Sequence, residues 1–414
     1  MPAAPDAPAR GAALRFALKL GLISFGGPAG QIAILHRELV ARRGWIGDPE
    51  FARALNFCML LPGPEALQLV IWLGWRWFGI AGGLVAGLCF LLPASLLLAA
   101  LSFGYALYGT LGAVVGALAG LKAVVVALVG QALVRIGRRA LHGPAHLALA
   151  AAAFAALAWL RVPFPLVVGA AALIGLAAFR ARPAPAAAAP PAARAARSLA
   201  VLAAGAGLWL APLAALAPAA AGALPARLYL FFTKVALVGF GGAYAVLSYV
   251  NQELVGHLHW LSAPDLIAGL ALAETTPGPL VLVLQFYGFA TGWAAPGPLA
   301  PAAAALLCAG LASWATFLPS FVLVMALAPH VERLAALPRL AAALEAVTAA
   351  VVGVIGSFAL AVALTVLWPA GGRQPDWAAV AIAALSWLLL ERTRLDLTWV
   401  LALGALAGLA LGGV

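Results

Sequence analysis

Charged side chains are scarce in this chain. They make up 9% of its 414 residues, whereas soluble proteins contain about 25%. Apolar residues account for 65% of the sequence, and the mean hydropathy is +1.07. Many apolar runs exceed the roughly 18–20 residues that a helix needs to cross a bilayer. The composition therefore predicts an all-α, polytopic membrane protein rather than a set of soluble domains.

Cysteine and the common catalytic motifs are also scarce or missing. Cys58, Cys89 and Cys308 lie in apolar segments and show no metal or redox spacing, which favours a packing role. The chain has no Walker loop, G-x-S-x-G motif or H-E-x-x-H motif. We therefore predict no enzyme activity, no cofactor and no metal site. The net charge of +11 is assigned to arginines in cytoplasmic loops, and no nucleic-acid partner is expected.

One pattern occurs twice. Residues 16–64 and 231–279 align without a gap and match at 15 of 49 positions. The shared features are a lysine, a Phe-Gly-Gly run, a tryptophan and a Pro-Gly-Pro run at identical spacing. A duplicated apolar half with helix breakers at matching places is typical of a secondary transporter and points to its binding site.

The apolar pattern predicts about thirteen spans, six in each half and one between them. They are 12–35, 51–78, 82–108, 111–136, 144–160, 163–179, 198–216, 228–250, 265–293, 299–328, 341–367, 376–391 and 396–413. The predicted organisation is a disordered N-terminus (1–11), a first transport half (12–179), a Pro/Ala/Arg linker (180–197), an extra linking span (198–216) and a second transport half (228–414).

The number of spans predicts an inverted repeat. Six crossings return the chain to its starting side and the extra span carries it across, so the second half enters upside down. With the N-terminus inside, fourteen arginines face the cytoplasm and seven face out. The seven are Arg37, Arg42, Arg43, Arg53, Arg161, Arg227 and Arg373. Residues 51–78 and 265–293 can each form either a broken span or a re-entrant hairpin, and the sequence leaves both open.

The breaks indicate the substrate site. Glycine and proline interrupt the helix, and broken backbone at membrane depth is tolerated only inside protein or around a water-filled cavity. A new helix start presents free N–H groups, which suit an anion. The candidate substrate-binding residues are Lys19, Phe25, Gly26, Gly27, Pro28, Pro62, Gly63, Pro64, Lys234, Phe240, Gly241, Gly242, Pro277, Gly278 and Pro279.

Ionisable residues in apolar segments supply further candidates. The two repeated lysines can bring positive charge to a shared site, or they can extend to an interface. Glu65 and Glu274 adjoin the Pro-Gly-Pro runs and are candidates for proton coupling, with helix capping as the alternative for Glu65. Lys122 and Glu345 occupy similar places in the two halves and are candidates for a structural ion pair.

The repeated segments resemble a known family. Leu22–Pro28 (Leu-Ile-Ser-Phe-Gly-Gly-Pro) and Leu55–Glu65 resemble the first half of chromate transporters, the CHR family. Val238–Leu247 and Ala273–Pro279 resemble the second half. The resemblance covers nearly the whole chain apart from the N-terminus and residues 180–226. It implies a two-domain bacterial inner-membrane protein that exports chromate and confers chromate resistance.

The sequence thus predicts a secondary transporter of oxyanions that works by alternating access. Its partners are a small inorganic oxyanion and the lipid bilayer, and a homodimer is left open. Chromate efflux across the bacterial inner membrane is the main prediction, with proton coupling left open. Three alternatives remain: a carrier of sulfate or another oxyanion, a passive anion channel, and a membrane-embedded enzyme.

Overall fold

Every regular element of the described chain is helical. The computed structural model describes residues 8–25, 27–178, 192–216, 223–331, 338–369, 374–393 and 395–411. The first half contains α1 (Arg10–Ile23), α2 (Gly27–His36), α3 (Asp48–Met59), α4 (Glu65–Tyr108), α5 (Gly112–Ala140), α6 (Pro144–Ala158) and α7 (Phe164–Ala178).

The connecting helix α8 (Ala192–Leu216) leads to the second half. That half contains α9 (Leu224–Val238), α10 (Ala243–Asn251), α11 (Ala263–Glu274), α12 (Val283–Ala294), α13 (Pro301–Leu327), α14 (Pro338–Leu367), α15 (Trp377–Arg392) and α16 (Leu397–Leu411). Helix α8 begins inside the predicted linker, so residues 192–197 are helical rather than extended. The rest of that linker, residues 180–191, and residues 1–7 of the N-terminus lie outside the described residues.

The predicted fold class is confirmed, since each predicted apolar span falls on one or more of these helices. Among the described residues, five helices are long and apolar enough to cross a membrane. They are α4, α5, α8, α13 and α14, and several shorter apolar helices accompany them. The chain is therefore a multi-pass membrane protein.

The two halves repeat each other in local structure as well as in sequence. Helices α2 and α10 each continue into a six-residue π-helical turn, Arg37–Arg42 and Gln252–His257. In each turn an acid contacts a basic residue four positions later: Glu38 and Arg42 lie 2.7 Å apart, and Glu253 and His257 lie 3.5 Å apart.

The Phe-Gly-Gly and Pro-Gly-Pro runs interrupt the helices as predicted. Helix α1 ends at Ile23 and α2 begins at Gly27, while α9 ends at Val238 and α10 begins at Ala243. The Pro-Gly-Pro runs separate α3 from α4 and α11 from α12, and a short 3₁₀ turn (Leu280–Leu282) precedes α12. The chain turns at these points because proline donates no backbone hydrogen bond and because Gly27, Gly63, Gly241, Gly242 and Gly278 adopt positive φ.

Helices α1 and α2 fold back on each other. The Phe16 and Trp45 rings lie 5.8 Å apart, and the Arg43 guanidinium lies 5.1 Å from the centre of the Phe16 ring. Phe16 is in the first half of α1, whereas Arg43 and Trp45 follow the end of the α2 segment. A single crossing would separate these residues by tens of ångströms at 1.5 Å per residue. Residues 10–45 therefore form a helical hairpin with its tip at the Phe-Gly-Gly run.

Helix α3 and the start of α4 form a second hairpin. Arg76 Nε lies 3.0 Å from a carboxylate oxygen of Glu50, and the Trp45 and Trp77 rings lie 5.8 Å apart. The open question over residues 51–78 is thereby answered, because the two ends of the segment meet and Pro-Gly-Pro forms a re-entrant tip. The predicted placement of Arg43 and Arg53 on the side opposite Arg15 is wrong, since both hairpins return to the side from which they start.

Two compact units take segments from both halves. The first comprises Met1–Ala99, Ala181–Ala243 and Thr276–Ala341, and the second comprises Ala100–Arg180, Tyr244–Thr275 and Ala342–Val414. In the first unit, Gly288 and Gly292 of α12 let that helix approach the backbone of α13. In the second unit, Gly116 and Gly120 of α5 lie against the α16 backbone. Close helix approach through small residues is typical of membrane helices.

Candidate functional site

The Pro-Gly-Pro tip of the second half contacts the Phe-Gly-Gly break of the first half, within the first compact unit. The backbone N–H of Gly278 donates to the Ser24 carbonyl over 2.9 Å. The Gln31 side-chain amide donates to the Gly278 carbonyl over 2.5 Å and to the Ser24 carbonyl over 3.3 Å. Ser24 and Gln31 are both buried. Two hydrogen bonds thus join breaks that are far apart in the sequence, and the third holds Gln31 to Ser24 within the first half.

This contact depends on glycine at position 278. Its φ is +110°, a region that other residues rarely adopt, and a Cβ there would lie 2.5 Å from the Cβ of Ala94. A third Pro-Gly-Pro run at 296–298 provides a comparison. Gly297 also has a positive φ, of +62°, but a Cβ there would meet nothing within 4 Å. The same tripeptide thus forms a packed tip at one place and an open turn at the other.

The Pro-Gly-Pro tip of the first half is also packed. Gly63 has a φ of +124°, and a Cβ there would lie 2.3 Å from Ser320 Oγ on α13 and 2.8 Å from Gln68 Nε2. The Gln68 amide donates to the Pro62 carbonyl over 2.8 Å. Pro64 is buried, and Glu65 follows it as the first residue of α4. The tip therefore carries a carboxyl group, an amide and a nearby hydroxyl in a small volume.

The Phe-Gly-Gly break of the second half lies beside Glu65. Gly241 and Gly242 both have a φ of +88°. The Oε1 atom of Glu65 lies 3.7 Å from the position that a Cβ would take at Gly242. The breaks are therefore paired crosswise. The tip of the second half contacts Ser24 and Gln31 at the first glycine break, and Glu65, which follows the tip of the first half, lies next to the second glycine break.

Unpaired polar atoms are concentrated at these breaks. Ser24 Oγ, Glu65 Oε2, Gln68 Oε1 and Ser320 Oγ are buried and have no hydrogen-bond partner among the described residues. Leaving a buried polar group unpaired costs roughly 1–3 kcal/mol. Such groups are expected where a solute is bound or where strain serves a function. Two hydroxyls, an amide and a carboxyl group give this region the means to bind a small polar solute.

The two lysines differ from these buried groups in being exposed. Lys19 is on α1 and Lys234 is on α9, and both side chains are exposed. Leu18 and Leu22 are exposed beside Lys19, as are Leu230 and Leu237 around Lys234. The structure thus places each lysine on an accessible, largely apolar helix face near a break, and their role in binding stays a prediction.

The rest of the predicted break residues are only partly described. Phe25 and Phe240 are half-buried beside the glycines, and Pro62, Pro277 and Pro279 flank the two tip glycines. Gly26 lies outside the described residues. Gly27 starts α2 with a φ of +66°, and Pro28 follows it within that helix.

Glu274 has a partner that the sequence did not reveal. In the second compact unit, the Tyr244 hydroxyl donates to a Glu274 carboxylate oxygen over 2.9 Å, and Glu274 is 6% exposed. A buried carboxyl group with a single hydroxyl partner can exist with or without its proton, as a proton-coupling residue must. The predicted coupling role is compatible with this environment but stays a prediction.

Lys122 and Glu345 are not joined in an ion pair. Glu345 Oε1 instead lies 3.0 Å from His146 Nε2, because the first turn of α6 brings that imidazole within reach of α14. The acid that acts electrostatically on Lys122 is Asp265, at the start of α11. Asp265 also accepts a hydrogen bond from the Tyr105 hydroxyl over 2.6 Å. The equivalence of Lys122 and Glu345 in the repeat therefore did not predict the residue that each one contacts.

The sequence analysis also missed the glutamines. The chain has six, and five of them lie in described helical segments: Gln31, Gln68, Gln131, Gln252 and Gln285. Each donates its amide to a backbone carbonyl, and Gln285 also accepts from the Ser95 hydroxyl over 2.6 Å. A neutral polar side chain in an apolar helix must find such a partner. Glutamine within apolar runs was thus a usable signal for these contacts.

Comparison with known proteins gives a consistent result. The sequence model of a family described as "Chromate transporter" matches residues 12–176 and 226–409. A chromate transport protein of Pseudomonas aeruginosa is 33% identical over 94% of this chain and 90% of its own length.

Two further relatives match a similar share of the chain. A probable chromate transport protein of Synechococcus elongatus is 28% identical over 90% of this chain and 93% of its own. A chromate transport protein of Cupriavidus metallidurans is 27% identical over 95% and 90%. No solved structure matches the chain.

Proposed function

This chain belongs to the chromate transporter family, and on that premise we propose that it is a secondary carrier of a tetrahedral oxyanion, with chromate as its main substrate. The observation that carries the proposal is the crosswise pairing of the four breaks, with unpaired buried polar atoms beside them. Broken segments that meet inside a repeat are where secondary transporters bind their substrates. We further propose that the protein exports chromate across the bacterial inner membrane.

The chemistry of the breaks suits an oxyanion. A tetrahedral dianion has acceptor oxygens on every side, so its binding site needs several donors. Ser24 and Ser320 each have a hydroxyl to donate, and backbone N–H groups at the starts of α2 and α10 add further donors. The proposal assigns binding to the break residues Phe25–Pro28, Pro62–Pro64, Phe240–Gly242 and Pro277–Gly278–Pro279.

The two lysines provide positive charge in this proposal. Lys19 and Lys234 are exposed, and each precedes a Phe-Gly-Gly run by the same six residues. Positive charge near the entrance to a site raises the local concentration of an anion and speeds its association. The lysines would therefore attract the oxyanion toward the breaks.

We propose Glu65 and Glu274 as the residues that couple transport to protons. Glu65 lies beside Gly242, where substrate and proton can influence each other directly. Glu274 adjoins the second tip and is bound by Tyr244. A carboxyl group that takes up a proton on the outer side as the dianion leaves, and releases it to the cytoplasm as the next dianion binds, would link outward chromate movement to inward proton movement.

The hairpins support a cytoplasmic N-terminus. Because residues 10–45 and 48–77 fold back, Arg37, Arg42, Arg43 and Arg53 join Arg15 on the starting side of the membrane. With that side inside, Arg161, Arg227 and Arg373 are the arginines left outside. Three arginines outside follow the positive-inside rule more closely than the seven that were predicted when each segment was counted as a single crossing.

The test is transport by the purified protein in proteoliposomes. Labelled chromate and sulfate are supplied with and without a pH gradient. A proton-coupled chromate carrier concentrates chromate when the gradient is present and saturates with substrate. Flux that does not saturate indicates a channel, preference for sulfate indicates a different carrier, and chemical conversion without a gradient indicates an enzyme.

Lysine variants test the assigned charge. Lys19→Ala and Lys234→Ala are expected to lower chromate transport on the order of tenfold each, because an attracting charge is lost. Arg15→Ala, also exposed on α1, is the matched control and is expected to keep near-normal transport. Unchanged transport in both lysine variants would remove them from the site.

A further inference from the structure

A basic pocket lies where the last turns of α5 and α15 meet, in the second compact unit. Its volume is about 290 Å³, and it is lined by Gln131, Val134, Arg135, Arg138, Arg139, Trp387, Leu390 and Glu391. The two helix ends are held together by Gln131, whose amide donates to the Trp387 carbonyl over 3.2 Å. None of the break residues lines the pocket, and the proposed transport function assigns it no role.

Three arginines give the pocket its charge. Arg135, Arg138 and Arg139 are spaced by three and four residues, so they lie on one face of α5. All three side chains are exposed, and none of them forms an ion pair with a described residue. Arginine carries a planar group with several donors, which suits the bidentate binding of a phosphate.

Glu391, the acidic residue that lines the pocket, already accepts a hydrogen bond from Trp387. The Trp387 indole N–H donates to a Glu391 carboxylate oxygen over 2.7 Å. This hydrogen bond orients the indole beside the pocket. It also means that one carboxylate oxygen of Glu391 accepts from a neutral donor rather than from an arginine. Glu391 also lies beyond ion-pair distance from the three guanidinium groups, which therefore face the pocket without a carboxylate partner.

The surroundings of the pocket are apolar. Val134 on α5 and Leu385 and Leu388 on α15 are exposed large apolar residues. In a membrane-spanning chain, such surfaces face acyl chains. Tryptophan and arginine at a helix end are typical of the membrane–water interface. The pocket therefore combines a cationic end at head-group level with an apolar surface that continues into the bilayer.

We propose that this pocket binds the head group of an anionic phospholipid. The phosphodiester would contact Arg135, Arg138 and Arg139, the indole of Trp387 would pack beside the head group, and the acyl chains would follow Val134, Leu385 and Leu388. A free inorganic anion would use the arginines but would leave the adjoining apolar surface without a role. Basic pockets between membrane helices on the cytoplasmic side are known to bind such head groups.

Lipid binding to the full-length protein in detergent tests the proposal. Phosphatidylglycerol and phosphatidylcholine with identical acyl chains are titrated, and binding is followed by native mass spectrometry and by the shift in thermal unfolding. The wild-type protein is expected to bind phosphatidylglycerol at least about tenfold more tightly than phosphatidylcholine. The triple variant R135Q/R138Q/R139Q is expected to lose this preference.

The control removes the same charge elsewhere. The triple variant R15Q/R37Q/R53Q neutralises three exposed arginines of the first unit, and it is expected to keep the wild-type preference. Equal loss in both triple variants would indicate an effect of surface charge only and would overturn the proposal. Inorganic phosphate that reproduces the full thermal shift would overturn it as well, since the site would then be one for free anions.

A measurement on Trp387 covers the case in which the triple arginine variant fails to fold. Phosphatidylglycerol carrying a spin label on its head group is added to the wild type and to Trp387→Phe, and quenching of tryptophan fluorescence is compared. Quenching that is smaller in Trp387→Phe than in the wild type supports the site. Identical quenching in the two proteins places the lipid elsewhere and contradicts it.

Discussion

At the scale of single residues, the surroundings of a glycine decide its role. The chain contains three Pro-Gly-Pro runs, and all three central glycines adopt positive φ. Gly63 and Gly278 pack against side chains of other helices, whereas Gly297 faces open space. The tripeptide supplies the turn in every case. Only the two packed copies lie at the proposed substrate site.

This difference gives a matched pair of variants. Gly278→Ala and Gly297→Ala both place a side chain at positive φ, which costs roughly 1–2 kcal/mol. Gly278→Ala must also displace Ala94, which lies 2.5 Å from the new Cβ, at a further cost of about 1–3 kcal/mol. We expect Gly278→Ala to unfold at a lower temperature and to lose most chromate transport, while Gly297→Ala transports normally. Thermal unfolding and proteoliposome uptake measure both effects, and equal behaviour of the variants would contradict the packed-tip interpretation.

Glu38 shows how the repeat conserves a local contact. The hydrogen bond from Arg42, with the charges of Arg42 and Arg43, lowers the pKa of the Glu38 carboxyl group, although desolvation acts in the opposite direction. A carboxyl group whose pKa is lower in the folded state stabilises the protein at neutral pH. That contribution is lost as the pH falls through the folded-state pKa.

The Glu38→Gln variant tests this contribution. At pH 7 it should be less stable than the wild type by up to about 1 kcal/mol, the range of exposed ion pairs. The difference should shrink as the pH is lowered below the ordinary glutamate pKa of about 4.3 and vanish below the folded-state value. Glu391→Gln, whose acid contacts an indole rather than an arginine, is the comparison. A difference for Glu38→Gln that persists unchanged at low pH would refute this account.

At the scale of helices, the positions of the breaks were predictable but the paths of the hairpins were not. Glycine and proline act on their own backbone, so the interruptions at Phe-Gly-Gly and Pro-Gly-Pro follow from local chemistry. The return of α4 toward α3 depends on Arg76 and Glu50, which are 26 residues apart. The first contact between breaks joins Gln31 and Gly278, 247 residues apart. No local pattern specifies contacts at such separations.

The same reason explains the uneven prediction of the site. The break glycines and the acids were found because their types are unusual in apolar segments. Tyr244 and Ser320 were missed because a tyrosine or serine in a helix is ordinary until its partner is known. The Lys122–Glu345 pair was wrong because equivalence in a repeat fixes the helices but not which neighbour reaches each side chain first.

Helix α5 provides a prediction at this scale. A Cβ at Gly120 would lie 1.9 Å from the Gly404 carbonyl oxygen of α16, whereas a Cβ at Gly112 of the same helix would meet nothing within 4 Å. We expect Gly120→Ala to destabilise the protein by about 1–3 kcal/mol, because α16 must move away. Gly112→Ala should be neutral or slightly stabilising, since alanine favours helix. Thermal unfolding in detergent measures both, and a tolerated Gly120→Ala would contradict the close approach of these helices.

At the scale of the whole molecule, the hairpins change which loops share a side of the membrane. Arg53 and Arg76 lie on the side where the chain begins, although a count of single crossings puts Arg53 on the other side. The number of crossings predicts that the second half begins on the other side of the membrane, after α8. With the N-terminus in the cytoplasm, as proposed above, most of the arginines are on the cytoplasmic side. The inverted arrangement of the two halves stays a prediction.

Labelling of single cysteines tests this sidedness. Arg53→Cys and Gln374→Cys, both at exposed positions, are made in a background in which Cys58, Cys89 and Cys308 are replaced by alanine. A membrane-impermeant thiol reagent applied to intact cells should label Gln374→Cys and should not label Arg53→Cys until the membrane is opened. Labelling of both variants in intact cells would mean that residues 10–45 or 48–77 cross the membrane, whereas labelling of Arg53→Cys alone would mean that the chain begins outside.

The hydrogen bonds between Gly278, Ser24 and Gln31 also constrain how this chain can evolve. After a duplication, two copies of a gene segment are free to diverge, and the copies here have diverged to 15 matches in 49 positions. Each copy nevertheless supplies half of the same junction, so a substitution in one must be tolerated by the other. Related proteins in which the first Phe-Gly-Gly run has changed should therefore also carry compensating changes in the Pro-Gly-Pro run of the second half. Substitutions in the two duplicated segments should thus occur together rather than independently.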